Sequence, residues 1–280
     1  MEFDSNIWNM DKTLAKGLSV LEFLVESKTP CSVSDVAQAF SLVPSNAHRT
    51  LKTLVTLGYV RQSADSRYEP SLRLFELGSQ VVGALDIRRV AHQPMAALAA
   101  ETLETMHLVA GDGEQVVYVD KIDSPQPVAA YSHIGGRAPA QCVASGKALL
   151  ASSMPTQASP GLAWLRKTLP DLRAYTPHSH VNYEALFDDL IQVREQGYAT
   201  NRGEWREDVS GLGAPVFDGR GQVVGAMGIS LPTIRATPQR LPELIEPLRK
   251  AAAATSAMLG YRPGTDASGL IFNTISKSRA

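Results

Sequence analysis

Apolar residues recur at helical spacing near the start of the chain. Leu14, Leu18, Leu21 and Val25 stand three or four positions apart, which predicts a helix over residues 11–27. An amphipathic helix of this length owes most of its stability to packing, so its apolar stripe needs a partner. The pattern therefore indicates a small helical core in this region.

Further helices and a hairpin are predicted to complete this core. Ser34 is a suitable N-cap for a second, short helix. Pro44 suits the first turn of a third helix, and Gly58 suits the residue just past its end. The core face of this third helix consists of Ala47, Leu51, Leu54 and Val55. Short β-type segments around the polar turn at residues 63–66 predict a hairpin, which would be the wing of a winged helix-turn-helix domain over residues 11–70.

The hydrophobic period changes near His107. Residues 71–104 carry helical patterns, interrupted or kinked near Pro94, and are predicted to form a helical linker. Residues 105–261 show strand patterns separated by helices, which predicts an α+β sheet domain. The predicted strands are 108–110, 116–119, 128–131, 198–201, 209–217 and 223–231, and the predicted helices are 142–151, 162–168, 182–196 and 238–259. Residues 262–280 mix Gly, Ser and Pro with scattered apolar residues and are expected to be a loose tail.

Length and composition narrow the class of protein. With 280 residues, of which 44% are hydrophobic, the chain can bury two ordinary cores. Its apolar runs fall far short of the roughly 20 residues that span a bilayer. Residues 1–12 lack the basic start and apolar core of a signal peptide. Cys31 and Cys142 lie in different predicted domains and are too few for a disulfide framework. We therefore expect a cytoplasmic protein with no membrane partner and no cofactor.

The charge of the chain points to a binding surface only in one segment, not over its whole length. The whole chain has a net charge of -1, yet residues 44–67 contain Arg49, Lys52, Arg61 and Arg67 against a single acidic residue. The exposed face of the predicted third helix carries types that contact DNA, since Asn pairs with adenine, Arg with guanine, and Ser, Lys or Thr with phosphates. The predicted DNA-binding residues are Ser34, Ser45, Asn46, His48, Arg49, Lys52, Thr53, Arg61 and Arg67. An ordinary solvated helix face explains the same pattern, so periodicity alone leaves both interpretations open.

Motifs in both halves of the chain occur in a consistent order. They are SDVA at 34–37, PSNAHRTL at 44–51, LGYV at 57–60, VYVDK at 117–121, SP at 124–125, ASGKALL at 144–150 and GAPV at 213–216. In this order and spacing, the chain resembles the IclR-type bacterial transcriptional regulators from about Thr13 to Leu259. Asn46 and Thr50 depart from the commoner Thr and Leu of that family. We expect the Asn46 difference to alter which bases are read rather than whether DNA is bound.

The resemblance implies both an architecture and a role. The fold class it implies is α+β, with an N-terminal winged helix-turn-helix domain joined by a helical linker to a GAF-like, mixed α/β sensor domain. The role it implies is that of a DNA-binding regulator, not an enzyme, that is controlled by a small molecule. We expect double-stranded DNA with a pseudo-palindromic operator as partner, bound by a homodimer or homotetramer.

The implied sensor domain holds its effector between one face of the sheet and the covering loops. The predicted effector-binding residues are Ala129, Ala130, Tyr131, Gly135, Gly136, Arg137, Ser145, Asn201, Arg202, Trp205, Ser210, Gly211 and Ser230. A helix N-terminus after Gly136 would seat a carboxylate, and Trp205 with Tyr131 could stack on a flat ring. We therefore expect a small organic acid, with an aromatic acid favoured and aliphatic keto acids or sugar acids left open. Each residue also has a structural explanation, such as turns for the glycines or core packing for Trp205. Gly211 stands where many family members carry Cys.

Two other classes of function were weighed against this one. An enzyme could use Cys142 as a nucleophile at a helix N-terminus, with His107 or His133 as its base. The helical half could instead be a dimerisation scaffold that has lost DNA binding, although Arg49 and the hairpin arginines argue against such a loss. His178 and His180 lack the neighbours of a metal motif, so no metal site is predicted.

Overall fold

The chain is organised as two compact units. The computed structural model describes residues 11–27, 29–83, 86–130 and 132–262. One unit comprises Met1–Ala84 and the other Leu85–Ala280. Within these described residues, no helix combines the length and apolar character that crossing a membrane requires. Tyr131 and residues 263–280 of the predicted tail lie outside the described residues.

The first unit is a helical core closed by a hairpin. Its elements are α1 (Lys12–Glu26), α2 (Val33–Ala39), α3 (Pro44–Thr56), β1 (Val60–Gln62), β2 (Tyr68–Pro70) and α4 (Leu72–Gly83). The buried core consists of Val20, Leu24, Val36, Ala47, Leu51, Leu54, Val60 and Tyr68. Helix α3 begins at Pro44, and Gly58 takes a φ of +80° just past its end. The predicted order of helices and hairpin is therefore present.

Two local predictions in this unit are wrong. Ser32, not Ser34, caps α2: its hydroxyl accepts the Asp35 N–H at 3.2 Å, and Asp35 Oδ2 accepts the Ser32 N–H at 2.7 Å. This reciprocal capping box satisfies two backbone donors, whereas Ser34 already lies inside the helix. The apolar face of α1 is broad, and the helix buries Val20 and Leu24 at one side of it rather than the stripe that contains Leu18. Periodicity cannot decide which part of a broad apolar face is buried.

The second unit is a sheet with helices on both faces. Its elements are α5 (Asp86–Thr102), β3 (Thr105–Asp112), β4 (Gln115–Ile122), β5 (Arg137–Pro139), α6 (Ala144–Ser153), α7 (Ala158–Thr168), α8 (Tyr183–Gln196), β6 (Ala199–Arg202), β7 (Val209–Phe217), β8 (Val223–Pro232) and α9 (Arg240–Met258). In the described residues the strands form one antiparallel sheet of order β5-β4-β3-β8-β7-β6. Helices α5 and α9 cover one face. Helices α6, α7 and α8 cover the other.

Two predicted features of the second unit differ from the structure. Residues 128–130 form no strand, and the edge of the sheet is instead β5, which pairs with β4 from Val117↔Arg137 to Gln115↔Pro139. Pro125 and Pro127 directly precede the predicted strand, and their missing N–H groups disfavour a ladder that begins there. Helix α5 continues through Pro94, so the expected interruption is wrong, while the alternative of a kink there stays a prediction.

Candidate DNA-binding surface and effector cavity

Helix α3 presents the polar face that the sequence predicts. Ala47, Leu51 and Leu54 are buried on one side, which directs the opposite side to solvent. Ser45, His48, Arg49, Lys52 and Thr53 are exposed there, and Asn46 is half-buried beside them. The side chains of Arg49 and Lys52 form no hydrogen bond or ion pair with the described residues, so both charges are available to an external anion.

The hairpin arginines are less available than the sequence suggests. Arg61 on β1 pairs with Glu69 on β2 at 3.0 Å. Arg67 donates to the Pro30 carbonyl at 3.0 Å and lies 3.7 Å from Asp35. Their charges are thus partly compensated inside the unit. The predicted residue Ser34 is exposed in the first turn of α2.

A small cavity lies between the sheet and the N-terminus of α6. Its polar and aromatic lining comprises His107, Tyr118, Ser132, Ser145, Asn201, Trp205, Arg206 and Ser230. The cavity volume is about 30 Å³, which is room for about two water molecules. A ring-sized molecule therefore enters only if part of the lining moves.

Glycines on β7 and β8 let α6 approach the sheet closely enough to form this cavity. A Cβ on Gly213 would lie 2.4 Å from the Ala144 carbonyl carbon. A Cβ on Gly211 would lie 2.7 Å from Asn201 Oδ1, and one on Gly228 3.3 Å from Ser145 Cβ. Gly213 and Gly228 face the first turn of α6, where Val143 provides no side-chain cap, while Gly211 faces Asn201 on β6. Backbone N–H groups in such a turn are available to an anionic ligand.

His107 is the central polar group of the cavity. Its Nε2 lies 2.6 Å from Ser132 Oγ, its Nδ1 lies 3.2 Å from Ser230 Oγ, and its ring contacts Tyr118 at 4.6 Å between centroids. Burial, with a further contribution from Lys121, lowers the pKa of His107 to about 3. Burial raises the pKa of Tyr118 to about 12. Both side chains are therefore neutral near pH 7, and each offers hydrogen bonds rather than charge.

Arg206 supplies the positive charge at the cavity. Its guanidinium stacks over the Trp205 ring at 4.7 Å from the centroid. It forms no ion pair with any carboxylate in the described residues. None of the residues that line the cavity is acidic. The cavity thus combines a cation, an aromatic face and neutral hydrogen-bonding groups.

The structure brings some of the predicted effector residues together and leaves others apart. Those that line the cavity are Ala130, Ser145, Asn201, Trp205, Gly211 and Ser230. Those that do not are Ala129, Gly135, Gly136, Arg137, Arg202 and Ser210, while Tyr131 lies outside the described residues. Arg137 instead pairs with Asp112 at 2.6 Å, because β5 lies beside the β3–β4 hairpin. Ser210 Oγ lies 3.0 Å from Thr233 Oγ1.

Sequence reasoning missed His107, Tyr118, Ser132 and Arg206 as lining residues. The available signal for His107 was its position between the apolar residues Met106 and Leu108 of β3. The available signal for Arg206 was its position directly after Trp205.

Cys142 lacks the surroundings of a nucleophile. It lies in a 3-10 turn before α6 and is fully buried. Burial raises the pKa of its thiol to about 11, so the reactive thiolate is scarce near pH 7. His180 lies 3.2 Å from Asp189, and His178 is exposed. No group of His, Cys, Asp and Glu in the described part of the chain is arranged to hold a metal ion.

Comparison with known proteins agrees with this architecture. A winged helix-turn-helix unit and a sheet domain with a polar cavity together define the class of DNA-binding regulators that carry a sensor domain. Residues 13–64 match the IclR helix-turn-helix domain, and residues 79–257 match the bacterial transcriptional regulator IclR C-terminal domain. The chain belongs to the IclR family of transcriptional regulators, as its motifs indicated, and it is not an enzyme.

Individual relatives extend over nearly the whole chain. The regulator KdgR of Escherichia coli K12 is 36% identical over 253 residues, covering 89% of this chain and 93% of its own. The crystal structure of Thermotoga maritima IclR is 32% identical, covers 89% of this chain and 99% of its own, and has a TM-score of 0.78. An IclR homologue from Microbacterium hydrocarbonoxydans, complexed with 4-hydroxybenzoate, is 25% identical with a TM-score of 0.74, covering 89% and 99% of the two chains. The predicted fold class is confirmed.

Proposed function

We propose that this regulator controls transcription from a pseudo-palindromic operator and that a small organic acid in the cavity changes its DNA affinity. Helix α3 would enter the major groove, with Arg49 and Lys52 as its available charges. Residues 71–104, which include α4 and α5, would transmit the change between the two domains. The protein would act in the cytoplasm, where its DNA target lies.

The lining of the cavity is the observation that carries the effector proposal. Arg206 can pair with a carboxylate, and the N-terminal turn of α6 can donate further hydrogen bonds. Trp205 offers a face for a flat ring. The 4-hydroxybenzoate complex of the Microbacterium homologue supports an aromatic carboxylate as the favoured class. Aliphatic keto acids and sugar acids satisfy the same polar groups but make less use of Trp205.

The size of the cavity supports a mechanism by population shift. At about 30 Å³ the cavity is too small for a benzoate, so binding of an aromatic acid would require a more open conformation. An acid that binds a more open conformation would shift the population of the protein towards that conformation. The size of this shift is limited by the difference between the acid's binding free energies for the two conformations. The favoured conformation would then alter the spacing of the two recognition helices in an oligomer.

An oligomer is supported by the surface of the first unit. Leu14, Leu18 and Val25 on α1 are 62%, 52% and 56% exposed, and Leu72 and Phe75 on α4 are 78% and 73% exposed. Clustered exposed apolar residues of this size mark interaction surfaces. We propose that two copies of the chain cover them in a homodimer, which could pair again as a tetramer. Leu18→Lys should shift the sedimentation coefficient towards a monomer if this holds.

The effector proposal is tested by comparing two arginines in calorimetric titrations. Each variant is titrated with 4-hydroxybenzoate, an aliphatic keto acid and a sugar acid. Arg206→Gln should weaken binding of the best acid at least about tenfold, because a charge-assisted hydrogen bond contributes about 1.5–3 kcal/mol. Arg137→Gln is the matched control and should bind as the wild type does. Loss of binding in Arg137→Gln with full retention in Arg206→Gln would move the anion site away from the cavity.

The DNA proposal is tested on α3 itself. Operator fragments are first selected from genomic DNA with the wild-type protein. Arg49→Ala should then weaken binding to a selected fragment at fixed salt, and Thr56→Ala, at the exposed C-terminal end of the same helix, should not. An unchanged dissociation constant for Arg49→Ala would contradict the role of this face.

A further inference from the structure

A buried ionic network lies beside the cavity without lining it. It consists of Lys147 on α6, Asp189 on α8, Glu204 after β6, and His180; we call it the Lys147 network. Lys147 Nζ donates to Asp189 Oδ2 and to Glu204 Oε1, each at 2.9 Å. The Lys147 side chain is only 2% exposed. An ammonium group this deeply buried is tolerated only when it is paired, so these contacts fix where both carboxylates stand.

The network joins two walls of the cavity. Ser145, two residues before Lys147 on α6, lines one wall, and Trp205, directly after Glu204, lines the other. Neither Lys147 nor Glu204 lines the cavity itself. The two walls are thus connected by an ion pair that lies next to the cavity and does not line it.

The backbone around Glu204 is held by further hydrogen bonds. Thr176 Oγ1 donates to the Gly203 carbonyl at 2.6 Å, and Ser179 Oγ donates to the Glu204 carbonyl at 2.6 Å. Gly203 takes a φ of +70°, which other residues rarely adopt. The segment before Trp205 is therefore fixed through both its backbone and the Glu204 carboxylate.

The two carboxylates of the network are not equally stabilised. Burial acts to raise the pKa of Asp189, but the His180 contact and Lys147 outweigh it and lower that pKa. Burial raises the pKa of Glu204 despite Lys147. In the described residues, Glu204 Oε2 is buried without a hydrogen-bond partner. Glu204 therefore depends on Lys147 for its single side-chain contact, while Asp189 has two partners.

We propose that Lys147 is a positioning residue for effector recognition: through Glu204 it fixes Trp205 and Arg206 against the cavity. This rests on the proposed function of the cavity. A preorganised Trp205 and Arg206 lose less freedom when an acid binds, so affinity depends on the network although no network atom contacts the ligand. Removing Glu204 leaves Lys147 and Asp189 as a one-to-one ion pair, so the variant is expected to fold.

The first arm of the test needs no effector. Trp205 is made the sole tryptophan by replacing Trp8 and Trp164 with Phe, and its quenching by acrylamide is measured. Glu204→Ala should raise the quenching constant of Trp205 severalfold, and Glu204→Gln, which retains an oxygen acceptor for Lys147, should restore most of the protection. Glu184→Ala, which breaks the exposed ion pair at 2.9 Å between Glu184 on α8 and Arg166 on α7, is the control and should change nothing. In a second background, with Trp8 and Trp205 replaced by Phe, the acrylamide quenching of Trp164 shows whether Glu204→Ala loosens the unit as a whole.

The second arm measures the affinity for 4-hydroxybenzoate in full-length protein. Glu204→Ala should weaken binding about tenfold, with Glu204→Gln closer to wild type and operator affinity without acid unchanged. Equal quenching constants of Trp205 in wild type and Glu204→Ala would overturn the inference. An equally large rise in the quenching constant of Trp164 would also overturn it, because the substitution would then have loosened the whole unit. If the wild type binds no acid at all, the effector proposal fails, while the quenching comparison still decides whether Lys147 positions Trp205.

Discussion

His107 should make the stability of the second unit depend on pH. Its imidazole is 3% exposed, and burial, assisted by Lys121, lowers its pKa to about 3. The unfolded chain exposes the same group with a pKa of about 6.5. The folded protein therefore binds fewer protons than the unfolded chain between these two values, and stability present above pH 6.5 is lost as the pH falls towards 3. Between pH 7 and pH 5 this loss amounts to about 2 kcal/mol.

The contribution of His107 to the pH dependence of the free energy of unfolding is measured by comparing wild type with His107→Gln. Urea unfolding of both proteins in a Trp8→Phe background is followed by the fluorescence of Trp164 and Trp205, which both belong to the second unit. Glutamine can donate and accept hydrogen bonds towards Ser132 and Ser230 but does not titrate. The free energy of unfolding of the wild type should fall by about 2 kcal/mol more than that of the variant between pH 7 and pH 5. Other titrating groups, including Glu204, are common to both proteins and cancel. An identical pH dependence in the two proteins would refute the neutral, buried state of His107.

Three further predictions follow from individual contacts. Gly213→Ala should destabilise the second unit by about 1–3 kcal/mol, since its Cβ would meet the Ala144 backbone at 2.4 Å. Gly111→Ala on β3 of the same unit, whose Cβ would meet only Leu149 Cδ1 at 3.8 Å, should destabilise much less in the same urea titration. Lys52→Ala should weaken binding to specific and random DNA alike and reduce the salt slope of binding by about one, and an unchanged slope would remove Lys52 from the phosphate contacts. Iodoacetamide should leave Cys142 unmodified in native protein at pH 8, as judged by peptide mass spectrometry; rapid alkylation would contradict its raised thiol pKa and full burial.

Local signals in the sequence were sufficient to predict the boundary of a helix where a single residue determines that boundary. Asn182 caps α8 by accepting the Ala185 N–H at 3.0 Å, and Gly197 ends the same helix with a φ of +77°. The predicted helix over residues 182–196 accordingly agrees with Tyr183–Gln196. Cap chemistry involves neighbours in the chain, so the sequence contains the whole interaction.

Features that depend on distant residues were harder to predict. Helix α1 has a broad apolar face, and only the position of its partners decides that Val20 and not Leu18 is buried. Arg137 was expected near the effector, but it meets Asp112 because β5 pairs with β4. The network around Lys147 joins positions 147, 189 and 204, a set that no local pattern connects. Tertiary contacts of this kind do not produce a periodic pattern in the sequence, so periodicity cannot predict them.

The central claim is that an acid in the cavity alters the DNA affinity of helix α3. Fluorescence anisotropy with a selected operator fragment, at fixed salt, measures it directly in wild type, Arg49→Ala and Arg206→Gln. We predict that one carboxylate of the panel changes the wild-type dissociation constant, that Arg206→Gln binds the operator normally but responds only at a higher acid concentration, and that Arg49→Ala binds the operator poorly. Operator binding by the wild type that no carboxylate alters, or a response that Arg206→Gln retains in full, would contradict the account.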